Sequence, residues 1–451
     1  MRTRTERRVA ARYRWDRLRV SFWFTPALMA LGAVLLAWFV YWLDGRIPNE
    51  LLQDSRFILA GTSSELRNSL LNIAGTVLAT AGVVFTLLTL PLSTVAAQYG
   101  SRLLRLFLGD RTAQFVLGMF VATFVYCLAA ALSIPSGDAG RDSPQLTGTV
   151  GLYLMLATFA TLILLVQHIS TMLQAPNIAA AAGLELLDVV RAAKTAEVGR
   201  DANGNGEFRS RADTPSPLAA TANYPVCVTD AGYIQYIDPA ILLTLAQEND
   251  LFIRSLHKPG SFVRPGGAVA LVWPADWIDA QREKLIRRAF QLGNVRTPTQ
   301  DIVYAVNQLT EMAVRAMSPA INDPFTAMTC LDLLGVGLAT FIRQGENDTA
   351  YYDGDGALRL VLERATFADL LSATFDMLRH ASCDNASVLL HMLAVIDVVG
   401  QATPALAARQ QLLHHVGLIQ AESQAGALIE EDRRRITESS EALSMKLSST
   451  A

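Results

Sequence analysis

Six histidines and four cysteines are the side chains best suited here to bind a metal or attack an electrophile. Their spacing brings almost none of them together. Cys127, Cys227, Cys330 and Cys383 are too widely separated for a CxxC or zinc-knuckle pattern or for a disulfide framework, and they read as isolated small hydrophobes in a reducing compartment. His414 and His415 are adjacent and point to different sides of a helix, while Cys383-Asp384-Asn385 interrupts the helix that would align His380 with His391. His168 and His257 stand alone. No GxSxG, HExxH, Walker loop or strand-to-helix GxGxxG is present. The sequence therefore assigns no catalytic residue, metal site or cofactor, and a non-enzymatic protein is expected.

Hydroxyl and amide groups cluster more tellingly. Between Arg67 and Arg102 runs an uncharged segment in which Asn72, Gly75, Thr76, Ala79, Thr80, Gly82, Thr86, Thr89, Ser93 and Thr94 share about half of a helical wheel turned at about 100° per residue. Leu70, Val77, Val84, Phe85, Leu88 and Leu92 occupy the opposite arc. In a membrane such a face serves close helix packing or lines water. The pore-lining candidates are Asn72, Thr76, Thr80, Thr86, Thr89 and Ser93. Arg102, Arg105 and Arg111 follow at once, as topology anchors or as a positive ring at a pore mouth.

A third cluster is Met317-Ser318-Pro319-Ala320-Ile321-Asn322-Asp323-Pro324-Phe325-Thr326-Ala327. Two prolines break one apolar helix, and Asp323 is placed to cap the next, with Pro324 at its first position. The segment is a plain helix corner or a polar pocket of Ser318, Asn322, Asp323 and Thr326, in which free N–H groups would suit an anion and Asp323 a cation. Asp201, Asn203, Asn205 and Gly206 match the opening of a calcium loop, but its twelfth position is Ala212 where a bidentate glutamate is needed.

The elements that carry these groups follow from composition. Of 451 residues, 51% are hydrophobic and only 18% charged, against about 25% charged in soluble domains. The net charge of −3 gives no global field for nucleic acid. The apolar residues cluster into four runs near 20–43, 71–93, 113–134 and 148–171, each close to the roughly 20 residues that cross a bilayer. Aromatic residues bracket the first run: Phe22, Trp23 and Phe24 at one end, Trp38, Tyr41 and Trp42 at the other. No A-x-A-like cleavage site follows, so it is expected to stay as an anchor. The second run is longer than one span needs and should continue past the membrane or bend at Pro91.

Arginines 2, 4, 7, 8, 12, 14, 17 and 19, with Arg102, Arg105 and Arg111 after the second span, place both termini in the cytoplasm by the positive-inside rule. The expectation is a mostly α membrane protein of the bacterial inner (plasma) membrane. A basic N-terminus (1–19) precedes a four-helix transmembrane domain (20–172), then an exit helix and linker (173–218), a small β-rich module (219–275) and a helical cytoplasmic domain (276–451). Helices are expected at 276–292, 299–317, 324–342, 356–381, 383–401, 403–416 and 422–446. In the β module, GSFVRPGG (260–267) weakly resembles a lipoyl- or biotinyl-type turn, but no lysine sits at a hairpin tip.

SFWFTPAL (21–28), SRLLRLFLGDR (101–111), RTPTQD (296–301) and AMSPAINDPFTA (316–327), in that order, resemble an uncharacterised bacterial family of predicted membrane proteins, domain of unknown function 2254. The resemblance covers nearly the whole chain. It implies four N-terminal spans joined to a soluble region and imports no catalytic residues. The leading expectation is a homo-oligomeric ion channel or pore in the lipid bilayer, passing small ions and gated or assembled by its cytoplasmic domain. The alternative is a non-conducting membrane-anchored sensor or scaffold that binds a partner or small ligand through that domain. No nucleic acid is expected as a partner.

Overall fold

The computed structural model describes residues 23–47, 58–59, 61–98, 110–135, 144–172, 174–197, 223–345, 350–403 and 405–449. The basic segment 1–19, Arg102, Arg105, the loop at 137–142 and the 199–217 linker with its calcium-like opening lie outside the described residues, as does the side chain of Ser93. The chain divides into two units, 1–177 and 178–451.

The first unit is built from four long helices: α1 (Phe24–Asp44), α2 (Ser63–Gln98), α3 (Arg111–Ser133) and α4 (Gln145–Met172). α3 is the hub and packs on the other three. Small residues let it and α4 approach their neighbours. A methyl group at Gly118 would lie 2.4 Å from the Met29 sulfur, and one at Gly151 would lie 2.5 Å from Leu70. Ala33, Ala37, Leu70, Ala74, Tyr126, Cys127, Ala130 and Ala131 form one core layer, and Val77, Val84, Val116, Phe120 and Leu165 another. α2 runs through Pro91 as one helix, about 54 Å long at 1.5 Å per residue.

The second unit opens with most of α5 (Ala175–Glu197) and continues into two small sheets. In the first, the order is β1 (Tyr224–Cys227), β5 (Ala268–Trp273), β3 (Phe252–Ser255), β8 (Leu358–Val361), β7 (Ala350–Tyr352); in the second it is β4 (Phe262–Val263), β2 (Gly232–Ile237), β6 (Phe290–Gly293). Every pairing is antiparallel except β3 with β8. α6 (Pro239–Glu248) and α7 (Ala280–Arg288) complete a core of Val226, Ile234, Ile237, Leu242, Ile253, Val272, Ile286 and Leu360.

Two expected helices are thus corrected. Residues 276–292 hold a short 3-10 turn, α7 and then β6; residues 356–381 begin with β8 before the helix proper. The cause is the ambiguity of short apolar runs, which periodicity alone cannot assign to helix or strand. Phe290 and Leu292 pair with Ile237 and Ile234 instead of extending α7.

Six helices follow: α8 (Ile302–Ala316), α9 (Pro324–Gln344), α10 (Phe367–Ala381), α11 (Ala386–Gln401), α12 (Leu406–Ala425) and α13 (Glu430–Ser449). Asp301, Asp323, Thr366 and Asn385 cap four of them through side-chain acceptors. The chain is therefore mostly helical with a small sheet region. Five described helices are long and apolar enough to cross a membrane: α1, the stretch Ser63–Leu87 of α2, α3, α4 and α9. Four spans are expected from sequence; α9 is the additional one.

Candidate functional site

Among the described side chains of α2 the buried apolar residues are Leu66, Leu70, Ala74, Val77 and Val84. They form the side that packs on α3 and α4. The small-residue face lies on the other side. Asn72, Gly75, Thr76, Ala79, Gly82, Thr86 and Thr89 are exposed and Thr80 is half-buried. A methyl group at Gly75 or Gly82 would meet no atom within 4 Å. Phe85, placed from sequence on the arc opposite that face, is 55% exposed beside it.

The threonines on this face are internally bonded. Thr76, Thr80, Thr86 and Thr89 donate their hydroxyl hydrogens to the carbonyls of Asn72, Thr76, Gly82 and Thr86 at 2.9, 2.8, 3.1 and 3.0 Å. The hydrogen being spent, each oxygen presents only lone pairs outward. The four threonines thus present uncharged acceptors on a face that also exposes Val83 and Leu87. Arg111 is the exposed first residue of α3.

The bundle also holds polar ties that sequence spacing missed. Asp44 ends α1 at 6% exposure. Its carboxylate accepts from Leu146 N at 3.0 Å, Thr147 N at 2.7 Å and Thr147 Oγ1 at 2.6 Å, closing the start of α4. Tyr126 donates to the Thr147 carbonyl at 3.1 Å. Thr123 and Thr158 share a buried hydrogen bond of 2.8 Å. Asp110 caps α3 through Thr112 N and Ala113 N and meets His168 Nε2 at 2.9 Å. The available signal was a lone carboxylate at the border of an apolar run, where only a specific partner makes it tolerable.

In the second unit, the corner between α8 and α9 brings Asp323 and Thr326 together. Asp323 accepts from Thr326 N at 3.1 Å and Thr326 Oγ1 at 2.5 Å, so both carboxylate oxygens serve the helix start. Asn322 takes a left-handed backbone, φ 47°, and its N–H bonds the Ser318 carbonyl at 2.8 Å. Ile321 and Phe325 are exposed around it at 45% and 75%. The geometry is that of a capped corner.

The RTPTQD segment is more closely knit. Arg296 grips Asp301 with two hydrogen bonds, 2.8 and 2.9 Å, while Asp301 also accepts from Tyr304 N. Gly260, at φ +88°, passes so close that a methyl group there would sit 1.9 Å from the carboxylate. Gln300 holds both main-chain groups of Ile237, at 2.8 and 3.0 Å. Among the described residues, no three His, Cys, Asp or Glu side chains are grouped to hold a metal ion.

A family model described as predicted membrane protein (DUF2254) matches residues 19–397. Uncharacterized proteins of Mycobacterium bovis and Mycobacterium tuberculosis are 26% identical over 431 residues, which is 93% of this chain and 80% of theirs. No solved structure matches.

Proposed function

The chain belongs to the DUF2254 family of predicted membrane proteins, and from that premise we propose a homo-oligomeric channel of the bacterial inner membrane in which α2 lines the path. One observation carries this reading: α2 buries Leu66, Leu70, Val77 and Val84 within its own bundle and leaves Asn72, Thr76, Thr86 and Thr89 outward, beside the exposed apolar residues Leu78, Val83 and Phe85. A face of small and polar residues gains little from lipid tails and much from another helix or from water. Copies arranged around an axis would supply both. The acceptor-only oxygens would replace part of a cation's hydration shell, which favours small cations over anions.

In this proposal α1 to α4 are the four spans and both termini are cytoplasmic. α9 stays in the second unit, because half of its apolar window is already buried there. The protein would transport rather than catalyse. A non-conducting sensor is the second reading, favoured by a cavity in the second unit that is taken up below.

The test joins labelling to flux. Cysteines at Thr80 and Thr86 should react with a membrane-impermeant thiol reagent, and one at buried Val84 should not. Thr86→Leu should cut potassium flux in proteoliposomes at least severalfold while the oligomer persists. Absence of labelling at Thr86, with loss of the oligomer in Thr86→Leu, would make the face a packing seam and end the channel reading.

A further inference from the structure

Between α5, β2 and the turn before α8 lies a cavity of about 130 Å³, far above the roughly 10–15 Å³ that holds one water. Ala192, Ala193 and Ile302 give it an apolar side, while Tyr236, Thr299 and Arg364 contribute polar groups. Most charges around it are already matched. Asp301 is neutralised by Arg296, Asp369 by Lys258 at 2.7 Å and Glu363 by Arg254 at 3.4 Å. The amide of Gln300 is committed to Ile237, and Asp238 accepts from Ala240 N and Ile241 N at the start of α6.

Arg364 is the exception. Its Nη2 donates to the Tyr351 hydroxyl at 3.2 Å, its buried Nε has no partner, and no carboxylate pairs with it among the described residues. A half-buried guanidinium with one neutral partner is costly unless an anion completes it. Tyr236 lines the same cavity. Burial first, then Asp238, raises its pKa above the ordinary tyrosine value against the opposing pull of Arg364, so it remains a donor at neutral pH. Among the described residues the Thr299 hydroxyl donates to Thr297 Oγ1 at 3.4 Å, a long bond that turning toward an anion would replace.

We propose that this cavity binds a small oxyanion, the phosphate or carboxylate group of a small solute, on Arg364 with Tyr236 and Thr299 as hydroxyl donors. The site rests on the second unit alone and holds whether or not the membrane unit conducts.

Calorimetric titration of the purified full chain with inorganic phosphate, and separately with acetate, tests it. Saturable binding of at least one anion is expected. Arg364→Gln should weaken it about tenfold or more and Tyr236→Phe about threefold, the sizes expected for losing a charged and a neutral hydrogen bond. Phosphate binding alone would identify a phosphate site, and equal acetate binding a carboxylate site. Should Arg364→Gln fail to fold, Arg364→Lys keeps the charge but loses the fork and should also weaken binding. No saturable binding of either anion up to about 20 mM, or binding that none of these variants alters, would overturn the site; so would an affinity unchanged in folded Arg364→Gln. Flux is not read in this assay, so its failure leaves the channel reading untouched.

Discussion

α2 and α9 make an instructive pair. Both contain a stretch long and apolar enough to cross a bilayer, yet 22% of that stretch is buried in Ser63–Leu87 and 50% in Pro324–Gln344. α2 meets its neighbours along one side only. α9 is wrapped by α8, α10 and α11, with Cys330, Leu331, Leu334 and Leu338 at 0–1% exposure. Apolarity in the first case remains to be met by lipid or by another copy; in the second, the chain's own helices meet it. Length and hydropathy describe how much apolar surface a helix carries, and its neighbours determine what covers that surface.

The two units also stabilise buried carboxylates differently, and this yields the largest expected effect. Asp301 is held by a guanidinium, Asp44 by neutral N–H and hydroxyl groups. Arg296→Ala should cost about 3 kcal/mol in the second unit by stranding a buried charge. Asp44→Ala strands only neutral donors and should cost about 2 kcal/mol in the first. Thermal unfolding followed by probes placed in each unit measures both, and equal losses would erase the distinction. Next, Leu334→Ala in α9 should cost about 3 kcal/mol. Leu78→Ala in α2, whose side chain is 58% exposed, should leave the isolated protomer within about 0.5 kcal/mol. A large loss at Leu78 would mean that α2 is covered within one chain after all.

The smallest effect is a pH dependence confined to the second unit. His415 is 4% exposed. Burial holds its pKa below the ordinary histidine value, with His414 and Arg379 adding to the shift and Asp376 opposing it. The unfolded chain then binds the proton more readily than the folded one, so this contribution is present above about pH 6.5 and is lost as pH falls toward the folded-state pKa. Urea unfolding between pH 7.5 and 5.5 should show a shallower slope in His415→Gln than in the natural chain. An unchanged slope would remove His415 as the source.

Much of this was legible in residue order. The four apolar runs became α1 to α4, and the cap at Asp323 stood where a polar residue preceded a helical pattern. The polar face of α2 could be drawn on a wheel because its period is local. What stayed hidden needed distant partners. β8 joins the sheet by pairing with β3, more than a hundred residues earlier, while its other edge takes the nearby β7. Arg364 reads as an ordinary surface charge until the pairs around it are seen to close without it. Asp44 directly follows the first apolar run, and nothing in its sequence vicinity announces Thr147.

That last contact also has a history in time. Asp44 and Thr147 are 103 residues apart, which at about 5–20 residues per second of synthesis separates them by roughly 5–20 s. During that interval the first helix has emerged but the N–H groups that will receive its carboxylate do not yet exist. The end of α1 must wait in water or among headgroups, and it can seat only after the fourth helix has begun to emerge. Synthesis therefore fastens α1 in two stages: its body can pack once α3 is made, and its Asp44 end only when α4 follows.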